Sequence, residues 1–300
     1  MMRSELTFSQ LTPVSRFYPL KPKTLWTLVG VCAIPLWAVW PLLAVLSTQT
    51  PVFEFMTVIF TVAAVLLWAL PKSATSRHLT RGRLPLLPAI MAAIGIWVSN
   101  MLFLLSIHYI PAAQANLIVY LWPLMVVMLG LLFGLFAARP LHAASIFLGL
   151  VGAGFVIGTS GIEFEWRGIA LAAASGICWA VYVIFRMRQS SGASDALMPG
   201  FALSALLSLI LHLSLETTTA PSSLSLLCML LIGLVPLGLG NVAWDYGIRL
   251  GNRALLAVLA YATPLVSALI LVVAGHASLT VGLLIGGVMI VSAGILSARS

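Results

Sequence analysis

The sequence predicts an all-α integral membrane protein with ten transmembrane helices in two inverted five-helix repeats and with both termini in the cytoplasm. Three observations lead to this prediction: extreme hydrophobicity, an uneven distribution of basic residues, and a repeat of about half the chain. Of the 300 residues, 61% are hydrophobic and only 7% are charged, and the mean hydropathy is +1.12. Soluble domains carry about 25% charged residues. Most of this chain must therefore face lipid or other helices.

Ten apolar segments are each long enough to cross about 30 Å of hydrocarbon. They cover residues 24–46, 52–70, 87–109, 113–135, 141–160, 167–187, 196–215, 225–248, 254–275 and 279–298. The connections between them are too short to form a soluble domain, and no signal peptide with a cleavage site is recognisable. We expect residues 1–23 to form a cytoplasmic tail, residues 24–160 the first repeat, and residues 167–298 the second.

Charge predicts the orientation, because cytoplasmic loops of membrane proteins are enriched in Lys and Arg. With the N-terminus inside, the basic residues of the cytoplasmic segments are Arg3, Arg16, Lys21, Lys23, Lys72, Arg77, Arg81, Arg83, Arg139, Arg186, Arg188, Arg249, Arg253 and Arg299. Only Arg167 falls outside, together with Glu54, Glu163, Glu165 and Glu216. The net charge of +8 therefore reflects membrane topology. We expect the lipid bilayer as a partner and no nucleic acid.

The two halves of the chain repeat each other. Three residues recur 141 positions later: Asn100 as Asn241, Tyr120 as Tyr261, and Pro123 as Pro264. In addition, Trp37-Ala-Val-Trp40 recurs after 142 positions as Trp179-Ala-Val-Tyr182. Five spans in each half force the copies into opposite orientations, and inverted repeats place substrate sites near the midplane between them. The alternative is chance similarity between apolar segments.

Pro123 and Pro264 predict a break in the fourth and in the ninth span. A proline inside a helix removes one backbone hydrogen bond and clashes with the carbonyl four residues earlier. Such breaks are tolerated in lipid where neighbouring helices or a water-filled cavity satisfy the freed groups. At about 1.5 Å per residue, each break lies on the order of 10–15 Å from its own membrane face. We expect the two prolines to act as symmetry-related gating hinges.

Polar and aromatic residues form stripes on the predicted helices, since residues three, four and seven apart share a face. Such stripes should face the bundle interior. The predicted substrate-binding residues are Trp37, Trp97, Asn100, Tyr120, Trp122, Pro123, Trp179, Tyr182, Asn241, Trp244 and Tyr261. Two alternatives stay open: helix packing for each tryptophan, and interhelical hydrogen bonding for the two asparagines.

Asp245 is the only carboxylate well inside a predicted span. Arg249 follows one turn later, where an ion pair between the two side chains is geometrically natural. Proton coupling is the alternative role for Asp245, although no second intramembrane carboxylate is available to form a relay.

Signatures of enzymes and of bound metals or cofactors are missing. The sequence contains no His-Glu-x-x-His and no P-loop. Its three cysteines have no zinc or disulfide spacing. Gly158-Thr159-Ser160-Gly161 superficially resembles the Gly-x-Ser-Gly of rhomboid proteases, but Ser160 lies at a predicted helix end where glycine and serine are expected. We expect no cofactor, no metal and no enzymatic activity, and we keep an intramembrane protease and a passive channel as competing classes.

The residues expected in the centre of the bundle restrict the ligand. Carriers of phosphorylated sugars need Lys or Arg in the cavity, and exporters of hydrophobic cations need a mid-membrane Glu; neither is predicted here. Trp, Tyr, Asn and opened backbone suit a small molecule without net charge and with an apolar or aromatic body. Broken helix ends can hold its carboxylate and its amine.

Three stretches carry a resemblance to a known family: Tyr120-Leu-Trp122-Pro123, Ala243-Trp244-x-x-Gly247-Ile-x-x-Gly251-Asn252, and Tyr261-x-Thr263-Pro264. With the ten-span repeat, residues 24–298 resemble the EamA-type drug/metabolite transporter superfamily, and within it the aromatic amino-acid exporters of the YddG type. This resemblance implies export of aromatic amino acids across the bacterial inner membrane by alternating access. A carrier of another neutral metabolite is the alternative. Asp245 departs from the uncharged polar residue expected in such exporters.

Overall fold

The computed structural model describes residues 22–70, 86–134, 139–158, 165–187 and 194–297. Within these ranges the chain is helical, with turns and short connections. Residues 1–21 of the expected tail and Ser160 of the protease-like motif lie outside the described residues.

The helices follow the predicted apolar segments, with limits that agree within three residues. They are α1 Pro22–Ala38, α2 Trp40–Val45, α3 Val52–Ala69, α4 Leu86–Ser106, α5 Ala112–Val119, α6 Trp122–Leu132, α7 Pro140–Gly158, α8 Trp166–Met187, α9 Ser194–Leu215, α10 Ser223–Ile232, a π-helix Gly233–Gly240, α11 Asn241–Leu250, α12 Arg253–Ala260, α13 Thr263–Val273 and α14 Val281–Ser297.

Eight stretches in the described ranges are long and apolar enough to cross a membrane. Two further apolar helices, Thr263–Val273 and Val281–Leu296, are shorter. The first is short because a turn divides the predicted span 254–275 into α12 and α13. The protein is thus an all-helical, multi-pass membrane protein, and the count of ten spans remains a prediction.

Both predicted breaks are present at equivalent positions. Tyr120 follows the end of α5, and Tyr261 follows the end of α12. Pro123 and Pro264 then lie in the first turns of α6 and α13. A proline is tolerated there because the N–H that it lacks has no partner inside the helix. Each proline therefore begins a new helix, and the two residues before that helix form the bend.

Two further irregularities were not predicted, one in the first span and one in the eighth. The chain bends at Val39, and α2 then begins with Trp40 and the buried Pro41. The signal was present, because Trp40-Pro41 repeats the dipeptide Trp122-Pro123. In the eighth span, Pro236 lies inside the π-helix Gly233–Gly240, and both a proline and a π-bulge are recognised causes of a helix kink.

Helix packing follows the repeat. Helix α4 of the first half packs against α8 of the second half, and the equivalent pair is α11 of the second half against α1 of the first. Two further strong pairs, α3 with α9 and α7 with α14, each join equivalent spans of the two halves. Exchanging the two halves thus maps the main helix contacts onto one another.

Glycines allow the closest of these helix pairs to form. A Cβ on Gly286 of α14 would collide with the carbonyl of Gly152 of α7, and one on Gly247 of α11 would collide with the Cα of Gly30 of α1. Small residues in membrane helices let backbones approach in this way. These contacts hold the helices that surround the breaks.

The two ends of the bundle differ in charge. We call the end that holds Glu54, Glu165 and Glu216 the acidic end, and the end that holds Lys23 and Arg139 the basic end.

Hydrogen bonds of carboxylates fasten the acidic end. The Glu216 carboxylate accepts the backbone N–H groups of Phe53 and Glu54, at 3.0 and 3.1 Å, in the first turn of α3. An acidic group is favourable at a helix N-terminus. Glu216 also lies 2.9 Å from Nδ1 of His212, and the Glu54 carboxylate accepts the backbone N–H of Thr219 at 3.1 Å. Helix α3 is therefore tied to the end of α9 and to the chain that follows it.

Candidate functional site

The two repeat breaks meet in the centre of the bundle. The hydroxyl of Tyr120, at the first break, is hydrogen-bonded to the side chain of Thr263, at the second. Thr263 Oγ1 in turn donates to the carbonyl of Ala260 at 2.7 Å. A chain of two hydrogen bonds thus links one half of the molecule to the other.

The Thr263 hydroxyl also compensates for the proline that follows it. Pro264 has no N–H to give to the carbonyl of Ala260, four residues earlier, and Thr263 bonds that carbonyl instead. Trp122 occupies the equivalent position in the first half and has no hydroxyl. There the corresponding carbonyl, of Val119, faces α8, where a Cβ on Gly176 would lie 3.0 Å from it.

Tyr261, the equivalent of Tyr120, has a different environment. Its ring lies against Gly294 of α14, within the same half of the molecule. A Cβ on Gly294 would collide with the ring atoms Cδ1 and Cε1 of Tyr261. Equivalent tyrosines therefore contact the opposite half in one case and their own half in the other.

The two ends of the centre also differ in their helix contacts. At the acidic end α5 contacts α2 and α13. The equivalent pairs at the basic end would be α12 with the end of α8, and α12 with α6. Among the residues that the structure describes, neither pair forms a contact of comparable extent. The centre is thus closed toward the acidic end.

Aromatic contacts agree with this closure. Trp40 and Phe103 join the first and third spans at the acidic end, with ring centroids 6.3 Å apart. Their repeat equivalents, Tyr182 and Trp244, pair with other rings. Tyr182 lies 5.5 Å from Trp179, and Trp244 lies 5.2 Å from Trp37.

Four predicted site residues form these last two ring pairs, and all four are half-buried. Trp37 also donates its indole N–H to the carbonyl of Pro236 at 3.1 Å. That carbonyl belongs to the π-helix, so Trp37 joins α1 to the irregular part of the eighth span. Trp122, at the start of α6, is half-buried as well, whereas Pro123 is buried.

The predicted asparagines have equivalent local geometry. Asn100 donates its side-chain amide to the carbonyl of Ile96 at 2.7 Å, and Asn241 donates to that of Leu237 at 2.8 Å. Each bond joins residues four apart on one helix. The repeat is thus preserved at the level of single hydrogen bonds.

Trp97 lies in the buried core against α3 and α9. Its indole N–H donates to the hydroxyl of Ser208 at 2.7 Å, and its ring stacks on Phe53 with an interplanar angle of 4°. The helix-packing alternative accounts for all of these contacts. We therefore leave Trp97 out of the site proposed below.

Asp245 is buried in α11, next to Trp244. The side chain of Arg249 lies outside the described residues, so the predicted ion pair remains a prediction. In the described ranges, no three His, Cys, Asp or Glu side chains are close enough together to hold a metal ion.

Sequence reasoning missed Thr263, Gly176 and Gly294 as members of the site. The first could have been found, because a hydroxyl directly before a proline can bond the carbonyl that the proline leaves free. The two glycines could not, since their role depends on which helix packs against them.

An all-helical membrane fold of two equivalent halves that meet at central breaks defines a class of protein. Both halves match the EamA-like transporter family, at residues 24–158 and 166–299, and the chain belongs to this family of transporters. The Aromatic amino acid exporter YddG of Ancylobacter novellus is 30% identical over 279 residues, which cover 88% of this chain and 94% of that protein. The chain is also similar to a protein of known crystal structure, with 26% sequence identity and a TM-score of 0.65. The match covers 91% of this chain and 96% of the chain in that crystal structure. The resemblance inferred from the sequence is confirmed.

Proposed function

We propose that the protein exports aromatic and related hydrophobic amino acids across the bacterial inner membrane by alternating access between two inverted five-span repeats. The substrate class follows the printed name of the Ancylobacter relative. The orientation follows the basic residues, which put the basic end and both termini in the cytoplasm. The acidic end then faces the periplasm.

One-sided closure is the observation that carries this proposal. Contacts of α5 with α2 and α13 close the centre at the acidic end, and the equivalent contacts of α12 are of lesser extent in the described residues. In an inverted repeat, exchanging the two arrangements converts a centre open on one side into a centre open on the other. The closed acidic end supports the proposal that this is the state that accepts substrate from the cytoplasm.

The proposed site consists of the rings and amides around the two breaks. Its members are Trp37, Asn100, Tyr120, Trp122, Pro123, Trp179, Tyr182, Asn241, Trp244 and Tyr261, with Pro123 and Pro264 as gating hinges. The half-buried rings offer aromatic surface to an aromatic side chain. Helices α6 and α13 begin at the breaks, and their positive ends attract a carboxylate.

Transport by purified protein in liposomes tests the function. We expect uptake of phenylalanine, tyrosine or tryptophan, acceleration of labelled efflux by external substrate, and no uptake of sugars or organic cations. Absence of counterflow would indicate a passive channel. A preference for another neutral metabolite would overturn the substrate assignment alone.

Two tryptophan variants test the site. Trp122→Ala and Trp179→Ala should each lower transport about tenfold, as expected for the loss of one aromatic contact, with near-normal folding. Trp68→Ala is the matched control, because Trp68 is 67% exposed on the outside of α3. If the folded fraction of both variants transports normally, these tryptophans contribute to helix packing and do not bind substrate.

We expect transport to be facilitated and not driven by protons, since Asp245 is the only carboxylate well inside a predicted span. Substrate should move down its own gradient without an imposed pH difference. Strict dependence on a proton gradient that disappears in Asp245→Asn would contradict this and identify Asp245 as the coupling residue.

A further inference from the structure

Two buried polar atoms lie unpaired beside the junction of the repeats. In the part of the chain that the structure describes, Nδ2 of Asn116 on α5 and Oγ of Ser267 on α13 have no hydrogen-bond partner. The exposed fractions of these residues are only 5% and 1%. Buried polar groups in proteins are almost always hydrogen-bonded. Two such groups on facing helices therefore indicate a ligand that both can bind.

Helix geometry puts the two atoms opposite each other. Asn116 lies one turn from Tyr120 on the same face of its helix, and Ser267 lies one turn from Thr263. The bond between Tyr120 and Thr263 aligns these two faces. Helices α5 and α13 run in opposite directions. One helical turn from Tyr120 toward the acidic end therefore lies Asn116, and one turn from Thr263 toward the same end lies Ser267.

A second contact supports this register. Leu117 and Leu265 approach the same point on α14, since a Cβ on Gly287 would lie 3.7 Å from Leu117 Cδ2 and 2.8 Å from Leu265 Cδ2. Leu117 and Leu265 thus lie at the same height along the helix axes, as Tyr120 and Thr263 do. The same antiparallel alignment makes residue 116 level with residue 267.

The chemistry of the pair selects an anionic oxygen. The Asn116 amide nitrogen only donates hydrogen bonds, and the Ser267 hydroxyl can also donate. A metal cation is unsuited to such a donor pair, whereas a carboxylate accepts several hydrogen bonds and strengthens them by its charge. The other buried residues on these helices include the apolar Leu117, Ala268 and Leu271 and the polar Gln114 and Thr263.

We propose that Asn116 and Ser267 form a subsite for the carboxylate of the transported amino acid, on the periplasmic side of the Tyr120–Thr263 bond. The substrate would reach it after that bond opens and before release. This inference rests on the proposed function, because it requires an amino-acid substrate, and it adds a second position along the exit path.

The test compares phenylalanine with phenethylamine, which keeps the ring and the amine but lacks the carboxylate. Asn116→Leu and Ser267→Ala should each lower the affinity for phenylalanine about tenfold, as expected for one hydrogen bond to a charged group, and leave that for phenethylamine unchanged. Asn116→Asp should lower phenylalanine affinity further and raise that of the amine, because the new negative charge repels a carboxylate and attracts a cation.

Thr50→Val is the matched control, since the Thr50 hydroxyl is likewise buried without a partner in the described residues but belongs to the connection between α2 and α3. It should change neither affinity. Equal losses for both ligands, or unchanged affinity for both in the folded variants, would overturn the subsite. Failure of the unmodified protein to bind any amino acid would overturn the proposed function before any variant is made.

Discussion

The first and second breaks share a sequence pattern and a local backbone conformation, yet their tyrosines contact different halves of the molecule. The first break, residues 119–123, sends the Tyr120 hydroxyl across to Thr263 in the other half. The second break, residues 260–264, keeps Tyr261 on Gly294 of α14 in its own half. The structure thus shows the first break bound to the opposite half and the second break packed within its own half.

Under the proposed alternating access, this difference would let small energies open and close the centre. A single hydrogen bond contributes about 1 kcal/mol net, which changes a two-state population about fivefold. Contacts of that size can be exchanged when a substrate binds, without disturbing the glycine-mediated helix pairs around them.

Gly294→Ala should have the largest effect. Its new Cβ collides with the Tyr261 ring and forces it toward the centre, and overpacking of this kind costs about 1–3 kcal/mol. We expect transport to fall tenfold or more and the thermal midpoint to drop. Gly154→Ala on α7 is the control, because no atom lies within 4 Å of its added Cβ. Equal behaviour of the two variants would show that Tyr261 is not held by Gly294.

Thr263→Val should come next, because it removes the hydrogen-bond partner of Tyr120 and leaves the carbonyl of Ala260 without its donor. An unsatisfied buried group costs about 1–3 kcal/mol. We expect lower thermal stability and easier opening at the acidic end. Combination with Tyr120→Phe should add little, since both changes break the same bond. Full additivity in this double-mutant cycle would argue against the bond.

Tyr120→Phe should loosen the acidic end about fivefold, as expected for one lost hydrogen bond, whereas Tyr261→Phe should leave it unchanged. The rate at which a thiol reagent modifies a cysteine at position 116, in a protein without other cysteines, measures this opening. If both phenylalanine variants shift the rate equally, the two breaks are equivalent and the comparison fails.

Pro123→Ala and Pro264→Ala should have the smallest effects, below about 1 kcal/mol, because each proline lies in a first turn and mainly restricts the chain. We expect Pro123→Ala to bias the protein toward the inward-open state and Pro264→Ala toward the outward-open state. Cysteines at position 116 and at the equivalent position 257 report the two sides. Shifts in the same direction would contradict the two-hinge mechanism.

The sequence by itself determined the elements, because their causes are local. Hydrophobic length predicts the helices, and a proline prevents the helix before it from continuing, so the bends before Pro123 and Pro264 were predictable. The bend before Pro41 follows from the same rule and was overlooked. A stripe of residues, in contrast, does not reveal which neighbouring helix it faces. Trp97 lies against Ser208 rather than with the other rings because α3 and α9 pack there.

Only the tertiary structure decided which end of the centre is closed. In an inverted repeat both ends are built from equivalent segments, so the pattern of prolines, tyrosines and glycines is compatible with either state. The choice depends on a few contacts between distant residues, such as Tyr120 with Thr263 and Trp40 with Phe103. Each is worth about 0.5–1.5 kcal/mol. Local sequence preferences cannot resolve energies that arise only when the two halves meet.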